Sequence, residues 1–504
     1  MPVSELPDLA PSQPSILART ARGAGWIFAF RLLTRILGTA STFILAILLL
    51  PVDFGLVALG IAFMQSAEII SYVGVEDALV REKAPDRAMY DTGFTLNLVR
   101  GVLMTIGLAG LAIPVARFFH DPGLINVMLA LAFAALLEAC SNIGMVDFRR
   151  NFEFDREFVW LTIPRLAQVA LTIGSAIILR NYWALIIGLV SFRLIKLWLG
   201  YRIHPYRPRL TLSAWRQLLG YSAWSWAVSL AILLREKLPT VLVGRILEPQ
   251  YAGMFNVGND LASLPISEFV APASRAAFSG FSVGRHEGVS AGDTYIDVVA
   301  MLAAVTFPAG IGLSLVADPL VRVALGPAWL EAVPFIELLG LHSAIAVFGY
   351  LGWTLFFAHG RMLLVFCVTG TSALARAGML FVLLPPYGLA GAGIAMVASA
   401  LFEDVAYIHL LHRNFATSFV VLTARCWRPL AASLVMAAVL HGVGWGWATV
   451  EGSRVELLLH LCRAVLAGVA VYGAALAAFW AASGRPAGPE SAVLSYIGAR
   501  LRRR

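Results

Sequence analysis

Charge is what this chain has least of. Only 13% of its 504 residues are Asp, Glu, Lys or Arg, about half the share found in soluble domains. With 59% hydrophobic residues, it has too little polar material to coat a water-facing globule, so the bilayer is its expected solvent. Cysteine is scarce as well. Cys140, Cys367, Cys426 and Cys462 are widely separated and show no CxxC or other ligand spacing, so no metal centre is expected and they read as small core hydrophobes. Enzyme signatures are missing: no P-loop, no GxSxG, no DxD on a soluble loop, and no HExxH among the nine histidines. The chain is therefore expected to be no enzyme and to carry no cofactor. Gly388-Leu389-Ala390-Gly391-Ala392-Gly393 opens an apolar segment, where small residues serve close helix packing better than nucleotide binding. No loop is long enough to fold by itself; even 274–295 is a short connection rich in Gly and Ser. The formal net charge of +8 is spread through short loops, so no nucleic-acid partner is expected.

What the chain does have is apolar runs. A spanning helix needs about 20 such residues, and that ruler marks segments from 25–49 at the start to 455–481 at the end. The expected fold is an all-α integral membrane protein with about fourteen transmembrane helices, in two six-helix lobes plus a C-terminal helix pair. Residues 1–24 would form a polar, Pro-rich cytoplasmic segment without a cleavable signal, 25–203 the first lobe and 204–217 a cytoplasmic inter-lobe linker. Residues 218–410 would form the second lobe, 411–481 the last two helices and 482–504 a basic cytoplasmic tail. That tail reads either as an amphipathic helix on the inner leaflet or as a frayed end. Loops holding Arg149, Arg150, Arg156, Arg207, Arg209, Arg413, Arg425 and Arg428 alternate with loops offering only Arg117, Arg180, Arg245, Arg322 and Arg454. The positive-inside rule then puts both termini in the cytoplasm.

Two turns hint at duplication. Leu50-Pro51-Val52-Asp53-Phe54-Gly55-Leu56 joins the first two segments, and Glu248-Pro249-Gln250-Tyr251-Ala252-Gly253-Met254 joins the seventh and eighth, each with Pro and Gly four apart. The two lobes would share one orientation, related by an axis along the membrane normal.

Charges inside the apolar segments carry the functional reading. An arginine at a helix centre costs about 2.5–3.5 kcal/mol even on the most lenient insertion scale, and it persists when it faces water or a partner. Arg31 and Arg35 share one helix face, where snorkelling to the interface is the plain alternative to lining a cavity. Arg235-Glu236-Lys237 fans out by about 100° per residue, so part of it is expected to pair internally and at least one cation to remain for the cavity. Pro239 follows closely and is expected to loosen the backbone and free a carbonyl. Arg100 and Arg376 join the candidate cavity cations. Asn256, Asn259 and Asp260 form a polar stripe, with Glu268 beyond it and Glu68 at a broadly equivalent place in the other lobe. With Glu236 these are candidates to balance cations, bind sugar hydroxyls or carry a coupling ion; helix-packing glue is the structural alternative. Glu138, Arg165 and Arg463 are embedded too, the last read as structural. A largely cationic interior points to a carrier of something anionic.

Short motifs then suggest a family. Ala21-Arg22-Gly23-Ala24-Gly25-Trp26 leads into the first helix, and Pro51-Val52-Asp53-Phe54-Gly55-Leu56 follows it. Val243-Gly244-Arg245-Ile246-Leu247 precedes Tyr251-Ala252-Gly253, and Gly326-Pro327-Ala328-Trp329-Leu330 precedes Ala332-Val333-Pro334. Across residues 20–420 the chain resembles the Wzx-type polysaccharide and oligosaccharide flippases of the multidrug/oligosaccharidyl-lipid/polysaccharide exporter superfamily. The resemblance implies a V-shaped, two-lobed bundle moving an undecaprenyl-pyrophosphate-linked oligosaccharide across the bacterial inner membrane, for exopolysaccharide, capsule or O-antigen assembly. It also implies alternating access, coupling to a proton or cation gradient, and polymerase or export machinery as partners. Pro239 and Thr240 stand where relatives often show an Asp-Asn pair, which removes that acidic group unless Glu236 replaces it. The alternatives are a lipid II or multidrug exporter of the same superfamily, or, from another class, a membrane-embedded O-antigen ligase or polymerase.

Overall fold

A computed structural model describes residues 16–72, 74–82, 85–151, 153–218, 223–287 and 290–486. Every regular element among them is helical, so the expected all-α membrane fold is the one adopted. In chain order the α-helices are α1 (Ile16–Leu48), α2 (Pro51–Ile70), α3 (Val75–Arg81), α4 (Arg87–Phe119), α5 (Gly123–Ala139), α6 (Val146–Arg150), α7 (Phe154–Leu179), α8 (Trp183–Ile203) and α9 (Trp215–Leu218). There follow α10 (Ala223–Ile246), α11 (Pro249–Ala262), α12 (Ala271–Glu287), α13 (Ala291–Leu315), α14 (Ala317–Ala324), α15 (Val333–Ile345), α16 (Val347–Ala358), α17 (Met362–Phe415), α18 (Phe419–Gly442) and α19 (Arg454–Ala482). Residues 1–15 of the N-terminal segment and 487–504 of the basic tail lie outside the described residues.

Ten described helices are long and apolar enough to cross a bilayer, eleven if the bent pair Gly123–Ala139 and Ile143–Arg150 is one span. The expected fourteen is not reached by that measure, for identifiable reasons. α10 carries Arg235, Glu236 and Lys237 at its middle, more charge than an ordinary span holds. The segment after it breaks beyond Ala262 and resumes through a π-helical turn, Ile266–Val270, into α12. α17 merges two expected spans across a kink at Gly388, whose φ of 55° suits a residue without a side chain.

The described residues divide into two compact units: those within 1–42, 71–110 and 128–220 form unit 1, and those within 43–70, 111–127 and 221–504 form unit 2. In unit 1, residues 204–214 are strapped across α4. The Tyr206 hydroxyl and the Arg209 backbone N–H both donate to Asp91 Oδ1, at 2.6 and 3.0 Å. Thr211 N donates to Thr95 Oγ1 at 3.0 Å and Ala214 N to Thr92 Oγ1 at 3.2 Å. The acceptor residues Asp91, Thr92 and Thr95 are buried, so each bond satisfies a group that water cannot reach. Burial and the Asp91 carboxylate together push the Tyr206 hydroxyl above its ordinary range. The expected linker thus begins as a fixed strap.

In unit 2 the core runs through Tyr295, Phe307, Leu351 and Tyr407, and a second cluster gathers around Trp329, whose indole N–H donates to Ala46 O at 3.1 Å. The two Pro–Gly turns noted in the sequence start α2 and α11, and they meet. A Cβ added at Gly55 would lie 1.7 Å from Pro249 O, and one at Gly253 would lie 2.1 Å from Pro51 O. Each glycine therefore admits the other motif's proline carbonyl, a reciprocal close approach that any side chain would block. α19 is held on α13 by a similar economy. Pro308 has no N–H, which leaves Ala304 O without its helical partner, and the Tyr472 hydroxyl donates to that oxygen at 2.6 Å.

Candidate functional site

The site grows from Pro239. Its missing N–H deprives the Arg235 carbonyl of a helical partner, and Arg376 Nη1 on α17 donates to that oxygen at 3.4 Å. The freed carbonyl expected from the sequence is therefore present, and a second embedded arginine takes it. Arg376 is only 6% exposed; its Nε donates to Ser399 Oγ at 2.8 Å. Among the described residues, no carboxylate lies within ion-pairing distance of it.

The Arg235 guanidinium is engaged differently. Its Nη1 donates to Glu403 Oε1 at 2.8 Å and its Nε to Glu236 Oε1 at 3.3 Å. Ser372 Oγ donates to the second oxygen of Glu403 at 3.0 Å. Beside Glu403, the buried Asp404 accepts the Gly349 backbone N–H on Oδ1 at 2.7 Å. Arg235, Glu236, Arg376, Glu403 and Asp404 line a cavity of about 370 Å³ together with Asn259, Ser263, His342, Tyr350 and Trp353. That volume falls in the range of small-ligand sites. Its wall holds Arg235 and Arg376 against Glu236, Glu403 and Asp404, so acids outnumber cations three to two where a mainly cationic interior was expected.

Of the residues singled out in the sequence, Arg235, Glu236, Asn259 and Arg376 come together here. Lys237, Asn256, Asp260 and Glu268 do not line this cavity. Asn256 instead joins α11 to α10, donating to Ala252 O at 2.7 Å and to Thr240 Oγ1 at 3.4 Å. Asp260 and Glu268 are exposed, and Glu68 is half-buried on α2. Arg31, Arg35 and Arg100 belong to unit 1, where Arg31 is exposed and the other two half-buried. Glu403 and Asp404 were missed, although two adjacent carboxylates inside the apolar run 388–410 were the signal to follow.

Unit 1 has its own half-buried charges. Lys196 Nζ on α8 pairs with Glu138 Oε1 on α5 at 2.6 Å, and Arg193 Nη1 approaches Glu138 Oε2 at 3.7 Å. Lys196 also lies 4.9 Å over the Trp160 ring, and Arg165 Nη1 donates to Gln168 Oε1 at 2.8 Å. The sequence reading named Glu138 and Arg165 but not the two α8 cations.

Comparisons with known proteins agree with the resemblance drawn from the motifs. Residues 44–334 match the model of a family described as polysaccharide biosynthesis protein. The chain is 24% identical over 336 residues to the succinoglycan biosynthesis transport protein ExoT of Rhizobium meliloti, covering 66% of this chain and 68% of that one. It is 23% identical over 333 residues to the lipopolysaccharide biosynthesis protein WzxC of Escherichia coli, covering 64% and 67%. Among solved structures, the inward closed conformation of the lipid II flippase MurJ superposes with a TM-score of 0.70 at 14% identity, over 91% of this chain and 99% of that one. An inward-facing multidrug resistance transporter of the MATE family gives 0.56 at 15% identity, over 76% and 96%. At such identities these two likenesses concern the fold alone.

Proposed function

The chain belongs to the family of polysaccharide biosynthesis proteins, and on that premise we propose that it is a flippase for undecaprenyl-pyrophosphate-linked oligosaccharide repeat units. It would carry them across the bacterial inner membrane for exopolysaccharide, capsule or O-antigen assembly. One observation carries this reading: Arg376, a buried guanidinium on a cavity wall, is held by a hydroxyl and a backbone carbonyl rather than by a carboxylate. A buried cation so held is costly, and a diphosphate repays that cost with paired, charge-assisted hydrogen bonds to its planar fork. Arg235 stays docked on Glu403 and shapes the cavity. Sugars would sit against Asn259 and the aromatic wall of Tyr350 and Trp353, while the polyprenyl tail remains in lipid.

Residues 25–203 and 218–410 are the proposed moving lobes, with 204–217 between them, 411–481 appended and both termini cytoplasmic. Alternating access between the lobes exposes the cavity to one leaflet at a time. Glu403 and Asp404 join Glu68, Glu236, Asn256, Asp260 and Glu268 as candidate ion-coupling or polar groups, and Arg31, Arg35, Arg100 and Lys237 as outlying cations for the approaching headgroup. Polymerase and export machinery would receive the product, and the chain itself would make no glycosidic bond.

The test is translocation of a fluorescent lipid-linked oligosaccharide in proteoliposomes, read as accessibility to an impermeant quencher. The wild-type chain should flip the lipid; Arg376→Ala should not, and Arg376→Lys should keep part of the rate. Unchanged flipping by a folded Arg376→Ala protein would overturn the site, and sugar transfer by the wild type would overturn the class.

A further inference from the structure

A cleft of different charge, cationic rather than mixed, lies where α18 begins and α19 ends. Val420, Val421 and Ala424 form one wall, Ser483 and Pro486 close the other, and Arg425, Trp427 and Arg428 reach into about 480 Å³ between them. Arg428 is 2% exposed, and Arg425 Nη1 lies 3.5 Å from Asp297, a carboxylate that is itself exposed. Among the described residues lining the cleft there is no acidic side chain.

The surroundings have the make-up of a membrane interface. Trp427 packs on Phe479 with ring centroids 5.8 Å apart. Trp480 Nε1 donates to Pro486 O at 3.1 Å, and the Arg485 guanidinium lies 5.9 Å over the Trp480 ring. Tryptophans settle at headgroup depth, and α19 stops here at Ala482. The cleft therefore sits where hydrocarbon gives way to headgroups. Val420 and Val421 beside it are exposed, which in a bilayer means facing acyl chains. Two guanidiniums next to an apolar wall fit a ligand with an anionic head and an apolar body. A free anion would leave the valines uncovered, and a zwitterionic lipid would bring its own cation against the arginines.

We propose that this cleft binds one anionic glycerophospholipid, its headgroup phosphate between Arg425 and Arg428 and its acyl chains along Val420 and Val421. Basic pockets between membrane helices hold anionic lipids by this combination of charge and depth. The lipid would fasten the end of α19 to α18.

Native mass spectrometry of the full-length protein, titrated separately with phosphatidylglycerol and phosphatidylethanolamine, tests the assignment. One phosphatidylglycerol should be retained in preference to phosphatidylethanolamine. Arg425→Gln should weaken that adduct about fivefold, the share of one arginine near an anionic surface. Ala424→Asp, which puts a carboxylate in the cleft, should abolish it. Both sites are partly or fully exposed, so neither test depends on disturbing buried Arg428. Equal retention of the two lipids by the wild type, or undiminished retention by both variants, would overturn the proposal. So would displacement of phosphatidylglycerol by millimolar inorganic phosphate, which would make this a site for free anions.

Discussion

Two helices of unit 2 contain the same backbone fault and repair it with different chemistry. Pro308 leaves Ala304 O without a helical partner and Pro239 does the same to Arg235 O. At α13 the replacement donor is a neutral hydroxyl, Tyr472, at 2.6 Å. At α10 it is a buried guanidinium, Arg376, at 3.4 Å. Structure alone needs only the neutral donor, which costs little to bury. The charged one adds desolvation that a hydrogen bond of ordinary strength does not offset. The excess points to work beyond holding helices together, and only the charged repair faces a cavity lined by further ionisable groups.

The largest effect should come from unbalancing the charged region. Arg235→Ala strands Glu403, whose side chain is 9% exposed, and breaking such a pair costs about 3–5 kcal/mol. Unfolding in mixed detergent–SDS micelles should show that loss, with much of it restored in the Arg235→Ala, Glu403→Ala double variant. A cost below about 1 kcal/mol, the range of exposed pairs, would mean that water reaches the pair and that the two regions differ less than their geometry indicates.

A smaller loss in stability should separate from a large loss in transport at Arg376. Arg376→Gln keeps a donor but no charge, so its unfolding cost should stay near about 1–2 kcal/mol. Translocation should fall at least about tenfold, the equivalent of one lost charge-assisted contact of about 1.4 kcal/mol. Adding Pro239→Ala restores the helical N–H for Arg235 O. That should recover stability while leaving transport defective. Recovery of both would place Arg376 with Tyr472 as a packing device.

How much of this was legible beforehand follows the same division. Embedded charge against hydropathy singled out Arg235, Glu236 and Arg376, and the missing N–H of Pro239 announced a free carbonyl. The Pro–Gly turns were visible as a pair, but a repeat along the chain cannot say that Gly55 and Gly253 would admit each other's proline carbonyl. Glu403 and Asp404 escaped because the sequence weighed cations for an anionic cargo and never asked what would balance them. Arg428 was counted with loop cations, yet its stem and head are buried in α18. The side chains of Lys196 and Arg193 escaped for another reason: their partner Glu138 lies on a different helix, a relation that no spacing within one segment encodes.

The smallest effect should lie on the neutral side, and it sharpens the comparison most. Tyr472→Phe removes one hydroxyl and changes little else, so Ala304 O loses its donor while the ring still packs. Polar contacts between membrane helices average about 0.6 kcal/mol, and the unfolding cost should fall near that figure, with translocation unchanged. In a Pro308→Ala background the restored N–H should serve Ala304 O, and the same Tyr472→Phe step should then cost almost nothing. The non-additivity of that cycle measures the repair itself. Additive costs would mean that the hydroxyl does not replace the proline's missing donor. The contrast with Arg376, which rests on the two faults being alike, would then lose its reference.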